Sequence, residues 1–317
     1  MPSVLQSSKL KDIPVDKVLP NPDNPRLIFR QDELDKLLVS ILKFGVQVPI
    51  SVYKEGSNYI IIDGERRWRT SKKLNLQTIP AIVQDKPDPL DNLLMMFNIH
   101  ALRQQWDLFT IANKITDVVD LLTEKEGRPP NEKELSEETG LSRGLIRRCK
   151  LLIDLPERFK VVILQELERP KPKQKLTEDF FIEMERSLKT VSRNMPEVID
   201  DIDRVRDTLI DKYQNNTIKN IVDFRKMAKL ATAPKNVDYS EDKSKKALKQ
   251  VFERNNKGIE QVYNSTVSGL YDEKKLLSIL TNSLNHLKEI KTEDKQDADI
   301  RLVLHQLAEE IDNILNR

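Results

Sequence analysis

Strand-forming signals stop early in this chain. Four short β-prone runs, Ile13 to Leu19, Ile50 to Tyr53, Tyr59 to Ile62 and Ile79 to Val83, all lie within the first ninety residues. Beyond them the apolar positions recur at helical spacing to the end. One small sheet is therefore all the chain can build, and the remainder has to be helix. The expected fold is an α+β N-terminal domain followed by an all-α helix-turn-helix and helical C-terminal regions.

Between the strands, Glu33, Leu34, Leu37, Leu38, Ile41 and Leu42 repeat with helical period, and Gly45 stands where a helix commonly ends in the left-handed region. A second helix is predicted from about Glu65 to Leu74. The pattern from Asp91 to Leu122 is helical and ends at Gly127, Pro129 and Pro130; a compact helical block then runs to about Leu167, closed by Pro170 to Lys175. Further helices are predicted over 177–192, 197–213 and 217–231, and the charge-dense stretch Ala233 to Lys249 reads as a hinge. The regions are thus a layer domain at 1–90, a helix-turn-helix domain at 91–169, a helical extension at 170–235, a charged linker at 236–257 and a helical dimerisation region at 258–317. In the last, Ile300, Leu304, Leu307, Ile311 and Ile314 are spaced four, three, four, three over about two heptads, which suits either a short coiled-coil seam or packing on a neighbouring helix of the same chain.

Several classes drop out on composition. The 317 residues hold one cysteine, Cys149, so no internal disulfide can form, and its place in the sequence reads as a small core residue. No secretory signal is visible from Met1 to Lys17, and no apolar run is long enough for a membrane span. A cytoplasmic location is expected. The 53 basic and 51 acidic residues leave a net charge of only +2, so any nucleic-acid footprint must come from local clustering.

Two such clusters stand out. In YIIIDGERRWR, Tyr59 to Arg69, an apolar strand ends at Asp63, Gly64 permits a tight turn, and a helix opens with Glu65, Arg66 and Arg67, followed by Arg69. Helix-start amides and guanidinium groups together suit an anion. Three arginines at a helix start oppose its dipole, so stability alone does not account for them. The competing reading is a solvated basic face in which these arginines pair with Glu65, Asp63 or Glu33. The anion reading requires Arg66 and Arg67 not to be spent on neighbouring acids. There is no GxxxxGK[ST] and no GxGxxG, so neither a P-loop nor a dinucleotide site is supported.

The second cluster is NEKELSEETGLSRGLIRRCKLL, Asn131 to Leu152. Leu135 and Ser136 lie on a first helix, Gly140 makes the turn, Leu141 plugs the core, and Ser142 caps a second helix whose inward face carries Ile146 and Cys149. Arg143, Gly144, Arg147, Arg148 and Lys150 then lie off that inward face. Leu141 to Lys150 holds four basic residues and no acidic one. A bare glycine among arginines lets a helix approach a nucleic-acid backbone or base edge closely. Duplex DNA is the expected partner, with Ser142, Arg143, Gly144, Arg147, Arg148 and Lys150 as its contacts; an ordinary helical hairpin is the alternative, and Arg147 tucked against its own protein would overturn the DNA reading.

The order IPVDKVLPNPDNPR (Ile13 to Arg26), KFG (Lys43 to Gly45), VPI (Val48 to Ile50) and DGERRWRTSKKL (Asp63 to Leu74) resembles the N-terminal domain of ParB-type partition proteins. With LIDLPERFKVVI (Leu152 to Ile163) the likeness extends over roughly Ile13 to Leu164. The resemblance implies CTP as ligand, held by Gly64, Glu65, Arg66 and Arg67, with Arg69, Asn98 and Arg103 as further nucleotide-binding candidates. It also implies a homodimer on a palindromic DNA site, a clamp that slides, a partition ATPase as partner, and a nucleoid- or plasmid-associated location. The sequence departs from the family in two boxes. Val48 stands before Pro49 where a glutamine is usual, with Gln47 one place earlier. In MMFNIHALRQQW, Met95 to Trp106, neither register supplies the acidic residue of the family's metal-holding box. Mg2+ is left without a carboxylate there, no residue is assigned as catalytic or metal-binding, and any turnover is at most a weak CTPase. Two other readings remain: a transcriptional or silencing regulator with a degenerate pocket, and a nucleotide-dependent enzyme or nuclease of the same fold.

Overall fold

A computed structural model describes residues 9–22, 29–97, 106–254, 256–291 and 297–316. The chain divides into two compact units, Met1–Lys189 and Thr190–Arg317.

The first unit opens with a mixed sheet of five strands, β1 (Lys9–Pro14), β2 (Val18–Leu19), β3 (Ile50–Glu55), β4 (Asn58–Asp63) and β5 (Thr78–Gln84). Their order is β1-β5-β3-β4-β2, with β1/β5 and β3/β4 antiparallel and β3/β5 and β2/β4 parallel. The run expected as one strand over Ile13 to Leu19 is two: Val15–Lys17 forms a 3-10 turn that carries the chain from one edge of the sheet to the other. Pro14, which offers no amide to a ladder, stands at that break.

Two helices cover the sheet, α1 (Gln31–Phe44) and α2 (Glu65–Lys73). Trp68 of α2 packs into a core with Ile13, Val18, Ile50, Val52, Ile61 and Ile79, and its indole N–H donates at 3.2 Å to the Val15 carbonyl. This one bond ties α2 to the 3-10 turn, so the helix that begins at Gly64 is fixed at both ends of its first two turns.

Helices follow from residue 89: α3 (Pro89–Met96), α4 (Leu108–Glu126), α5 (Glu132–Thr139), α6 (Arg143–Ile153), α7 (Glu157–Glu168) and α8 (Glu178–Asn194). Caps mark their starts. Asp88, Asp107 and Asn131 each accept backbone N–H donors, and Asn131 forms a reciprocal capping box with Glu134. Phe97 and Trp106 are both buried and meet edge to face with ring centroids 5.5 Å apart. The α+β start and helical remainder agree with the fold class read from the sequence.

In the second unit, α9 (Ile202–Gln214), α10 (Phe224–Asn236), α11 (Glu241–Phe252) and α12 (Ile259–Asn264) bury Leu209, Phe224, Leu230, Leu248, Val251 and Val262. The stretch 236–257, expected as a charged linker, therefore contains the helix α11. Its Ser244, Ala247, Leu248, Val251 and Phe252 face inward while the intervening lysines face water, so its high charge marks an amphipathic face rather than a hinge. Lys212 of α9, buried, donates to the carbonyls of Val251 at 2.6 Å and Lys257 at 2.9 Å and pins the end of α11. Two long helices complete the unit, α13 (Ser268–Lys288) and α14 (Ala298–Leu315), neither with a buried residue. Among the described residues no helix is long and apolar enough to cross a membrane.

Candidate functional site

The turn between β4 and α2 is set by Gly64, which has φ +99° and ψ +22°. A Cβ there would lie 2.6 Å from Cγ2 of Ile50 and 2.9 Å from a guanidinium nitrogen of Arg67, so both the backbone angle and the space demand glycine. No side chain caps the start of α2. Its first turn accordingly presents amides toward the turn.

The arginines there are not equivalent. Arg67 donates to the carbonyls of Val48 and Pro49 and pairs with Asp63 at 2.8 Å, so it braces the turn from beneath. Its partner Val48 is the residue that departs from the family pattern; the backbone carbonyl, which any side chain leaves intact, makes the contact. Arg69 pairs with Glu65 at 2.6 Å and lies over the Phe29 ring at 4.0 Å. Arg66 is held least: it sits 3.5 Å from Glu33 and its side chain is 34% exposed. The three acids that the alternative reading named, Asp63, Glu65 and Glu33, are thus the three that the arginines meet. The requirement that Arg66 and Arg67 stay clear of acids is not fulfilled, and for Arg67 the three acceptors amount to a structural role. For Arg66 two long contacts to Glu33, one to a carboxylate oxygen and one to the backbone carbonyl, both at 3.5 Å, are a weak restraint. Asn98 and Arg103 lie outside the described residues.

The two carboxylates at the turn are engaged, and most of the Met95 to Trp106 box lies outside the described residues. Asp63 and Glu65, the carboxylates flanking the turn, are both spent on arginines, and among the described residues no group of three potential metal ligands forms.

The helix-turn-helix has the geometry read from its sequence. Gly140 ends α5 in the left-handed region at φ +72°, Leu141 is buried, and the Ser142 hydroxyl accepts from the Leu145 amide at 3.2 Å to start α6. Ser136 closes the turn by donating its hydroxyl to the Leu141 carbonyl at 2.6 Å. Ile146, Cys149 and Leu152 point inward. Burial pushes the Cys149 thiol up to about 12, so it is an unreactive core group, as its sequence position implied.

On the outer face Arg143 and Gly144 are exposed, and no ion pair among the described residues claims Arg143. A Cβ on Gly144 would meet only the Ser142 hydroxyl, at 3.9 Å, and its φ is not positive, so packing gives no reason for a glycine there. Arg147 and Lys150 share Glu132 at 2.9 and 3.6 Å, and Arg148 pairs with Asp179 of α8. The Arg147 bond holds the Glu132 carboxyl below the usual range. Arg147 is therefore tied to its own protein, though its side chain stays 65% exposed. Exposed pairs of this kind are weak and screened by salt, and a phosphate competes with them effectively. Sequence reasoning on the basic cluster alone missed Glu132 and Asp179. Glu132 had a signal, since it opens the helix that packs against α6; Asp179 had none.

Residues 2–98 match the family model described as the ParB N-terminal domain. The "Probable chromosome-partitioning protein ParB" of Helicobacter pylori is 28% identical over 162 residues, 51% of this chain and 53% of that protein. The "Nucleoid occlusion protein" of Listeria monocytogenes is 30% identical over 158 residues, 49% of this chain and 53% of that protein. The chain thus spans about half the length of the curated relatives it matches. A solved Pnob8-like ParB-N domain covers 79% of this chain and 100% of its own at a TM-score of 0.50, with 15% identity, which shows a shared fold.

Proposed function

We propose that this chain, whose residues 2–98 match the ParB N-terminal domain model, is a homodimeric, site-specific DNA-binding protein of plasmid or chromosome partition that takes CTP at the start of α2. The observation that carries the DNA half is the outer face of α6. Four cations and an exposed glycine that packing does not require sit on a correctly capped second helix of a helix-turn-helix. Arg143, the cation without an ion pair among the described residues, lies at the end of α6 that enters a major groove first. Arg147, Arg148 and Lys150 exchange their acids for phosphates.

The nucleotide half is supported by the uncapped start of α2, the half-exposed Arg66 and the domain match. Gly64 lets the backbone approach the phosphates, Arg66 supplies the charge, and Arg67 keeps the turn in shape. Glu65, Arg69, Asn98 and Arg103 are the remaining candidates. The reading assigns nucleotide binding and names no hydrolytic step. The second unit supplies the dimer contact: Leu277, Leu280, Leu284 and Leu287 on α13 and Leu307, Ile311 and Ile314 on α14 form exposed apolar rows spaced by threes and fours. Such rows are covered when two copies meet. In the cell the protein works on the nucleoid or a plasmid, with a partition ATPase.

The test is spreading on DNA closed at both ends. Accumulation beyond a specific site that needs CTP supports the reading, and CTP-independent binding confined to the site defeats the clamp. That second result would favour a regulator with a degenerate pocket, a reading supported by the commitment of Asp63 and Glu65 to arginines.

A further inference from the structure

We propose that Glu132 and Asp179 are built-in competitors of the DNA backbone, which hold three cations of α6 in the free protein and retake them as a duplex leaves. The inference rests on the DNA reading above and specifies how release from the duplex is governed. The outer face of α6 is divided. Its first turn is bare, since no ion pair among the described residues claims Arg143. The later turns are covered by acids from two other helices. Arg147 donates through Nε to one carboxylate oxygen of Glu132 on α5 at 2.9 Å, Lys150 lies 3.6 Å from the other oxygen, and Arg148 donates to Asp179 on α8. These acids are 15 and 31 residues from the arginines they meet. Both stand in the first turn of their helix, where the dipole favours an acid. The dipole does not explain why both reach across to the same face of α6. The Arg147 bond holds the Glu132 carboxyl below its usual range, so this competitor is charged at neutral pH.

Phosphate contacts carry the sequence-independent share of DNA affinity. Each of the three cations leaves a carboxylate before it meets a phosphate, so binding is weakened by the energy of the pair. These pairs are open to solvent, which keeps that energy small and the exchange reversible. A carboxylate tethered in the same protein stays at a fixed effective concentration beside its cation. It therefore acts chiefly on departure: a cation that loosens from its phosphate is retaken before the phosphate returns. Loss of either acid slows dissociation. The contact at stake is to the backbone, so the effect holds for a duplex of any sequence.

The experiment follows binding and release of the full chain on an immobilised duplex of arbitrary sequence at one low salt concentration. It compares wild type with Glu132→Gln, Asp179→Asn, Glu137→Gln, Arg148→Gln and the Arg148→Gln/Asp179→Asn pair. Glu137 is the control: it lies on α5 as Glu132 does and carries the same charge, but it pairs with Lys133 at 3.7 Å. Glu132→Gln and Asp179→Asn are each expected to bind about 2- to 5-fold more tightly, the range of an exposed ion pair, chiefly through slower dissociation. Glu137→Gln should match wild type. Arg148→Gln should bind more weakly, and adding Asp179→Asn to it should change nothing further. A gain of the same size in Glu137→Gln overturns the proposal, because the acids would then act through overall charge. So does an Asp179→Asn gain that persists without Arg148. The two acids lie on different helices, so either substitution decides the matter if the other fails to fold. A wild type that binds no duplex even at low salt defeats the DNA reading and this inference together. Duplex binding that neither Glu132→Gln nor Asp179→Asn tightens defeats the inference alone.

Discussion

Arg67 and Asp63 are ion-paired at 2.8 Å across the Gly64 turn, four residues apart, with the strand end on one side and the helix start on the other. The same guanidinium reaches the carbonyls of Val48 and Pro49, so one side chain joins β4, α2 and the entry to β3. The first prediction separates this role from ligand binding. Arg67→Met removes the ion pair to Asp63 and the donors to two carbonyls, and unfolding in urea should show a loss of about 1–3 kcal/mol. Arg66→Met, which removes two long contacts to Glu33, should leave the unfolding midpoint nearly unchanged and abolish CTP binding in a titration.

Gly144 is paid for in helix stability without any return in packing, since a Cβ there would meet nothing closer than 3.9 Å. Gly144→Ala is therefore expected to stabilise the protein by about 0.5–1 kcal/mol. The same methyl intrudes where α6 approaches DNA, so affinity for the specific site should fall about tenfold or more. A variant that is more stable and binds DNA equally well would remove Gly144 from the interface.

Glu178 opens α8 and accepts the Phe109 amide at the start of α4. Burial, reinforced by the negative charge of Asp107, pushes its carboxyl up to about 7. The folded chain thus binds a proton here between the ordinary carboxylate range and about pH 7 that the unfolded chain does not. Stability from this group is fully present at low pH and is lost as pH rises through about 7. Glu178→Gln keeps the acceptor and removes the charge. Thermal melts from pH 5.5 to 8 should show a decline in wild type that the variant lacks.

Leu307 and Leu280 sit on exposed apolar rows of α14 and α13. Leu307→Asp or Leu280→Asp should convert a dimer to a monomer in sedimentation equilibrium, with the helix content of the first unit intact. Wild type that sediments as a monomer would remove the dimer from the account.

The sequence exposed the parts of this protein that are governed by short-range rules. The Gly64 turn, the Gly140 turn and the Ser142 cap are local devices whose residues lie within a few positions of one another, and each was legible. The i,i+4 partners of Arg67 and Arg69 were legible too, as the reading that the residue pattern alone favoured and the family resemblance displaced. Long-range geometry was not. That Arg30 reaches Leu167, or that Asp179 meets Arg148, follows from packing between helices that no periodicity encodes. Charge density misled at 236–257, because the four lysines of α11 hid the inward spacing of Ser244, Ala247, Leu248 and Val251.

The central claim is that two helix entrances, α2 and α6, serve two different anions independently enough to be separated by mutation. One experiment tests it most directly: CTP and specific duplex DNA are each titrated into wild type, Arg66→Gln and Arg143→Gln, at one fixed salt concentration. The account predicts that Arg66→Gln loses CTP and keeps DNA, while Arg143→Gln loses DNA and keeps CTP. Equal losses of both ligands in both variants would contradict it.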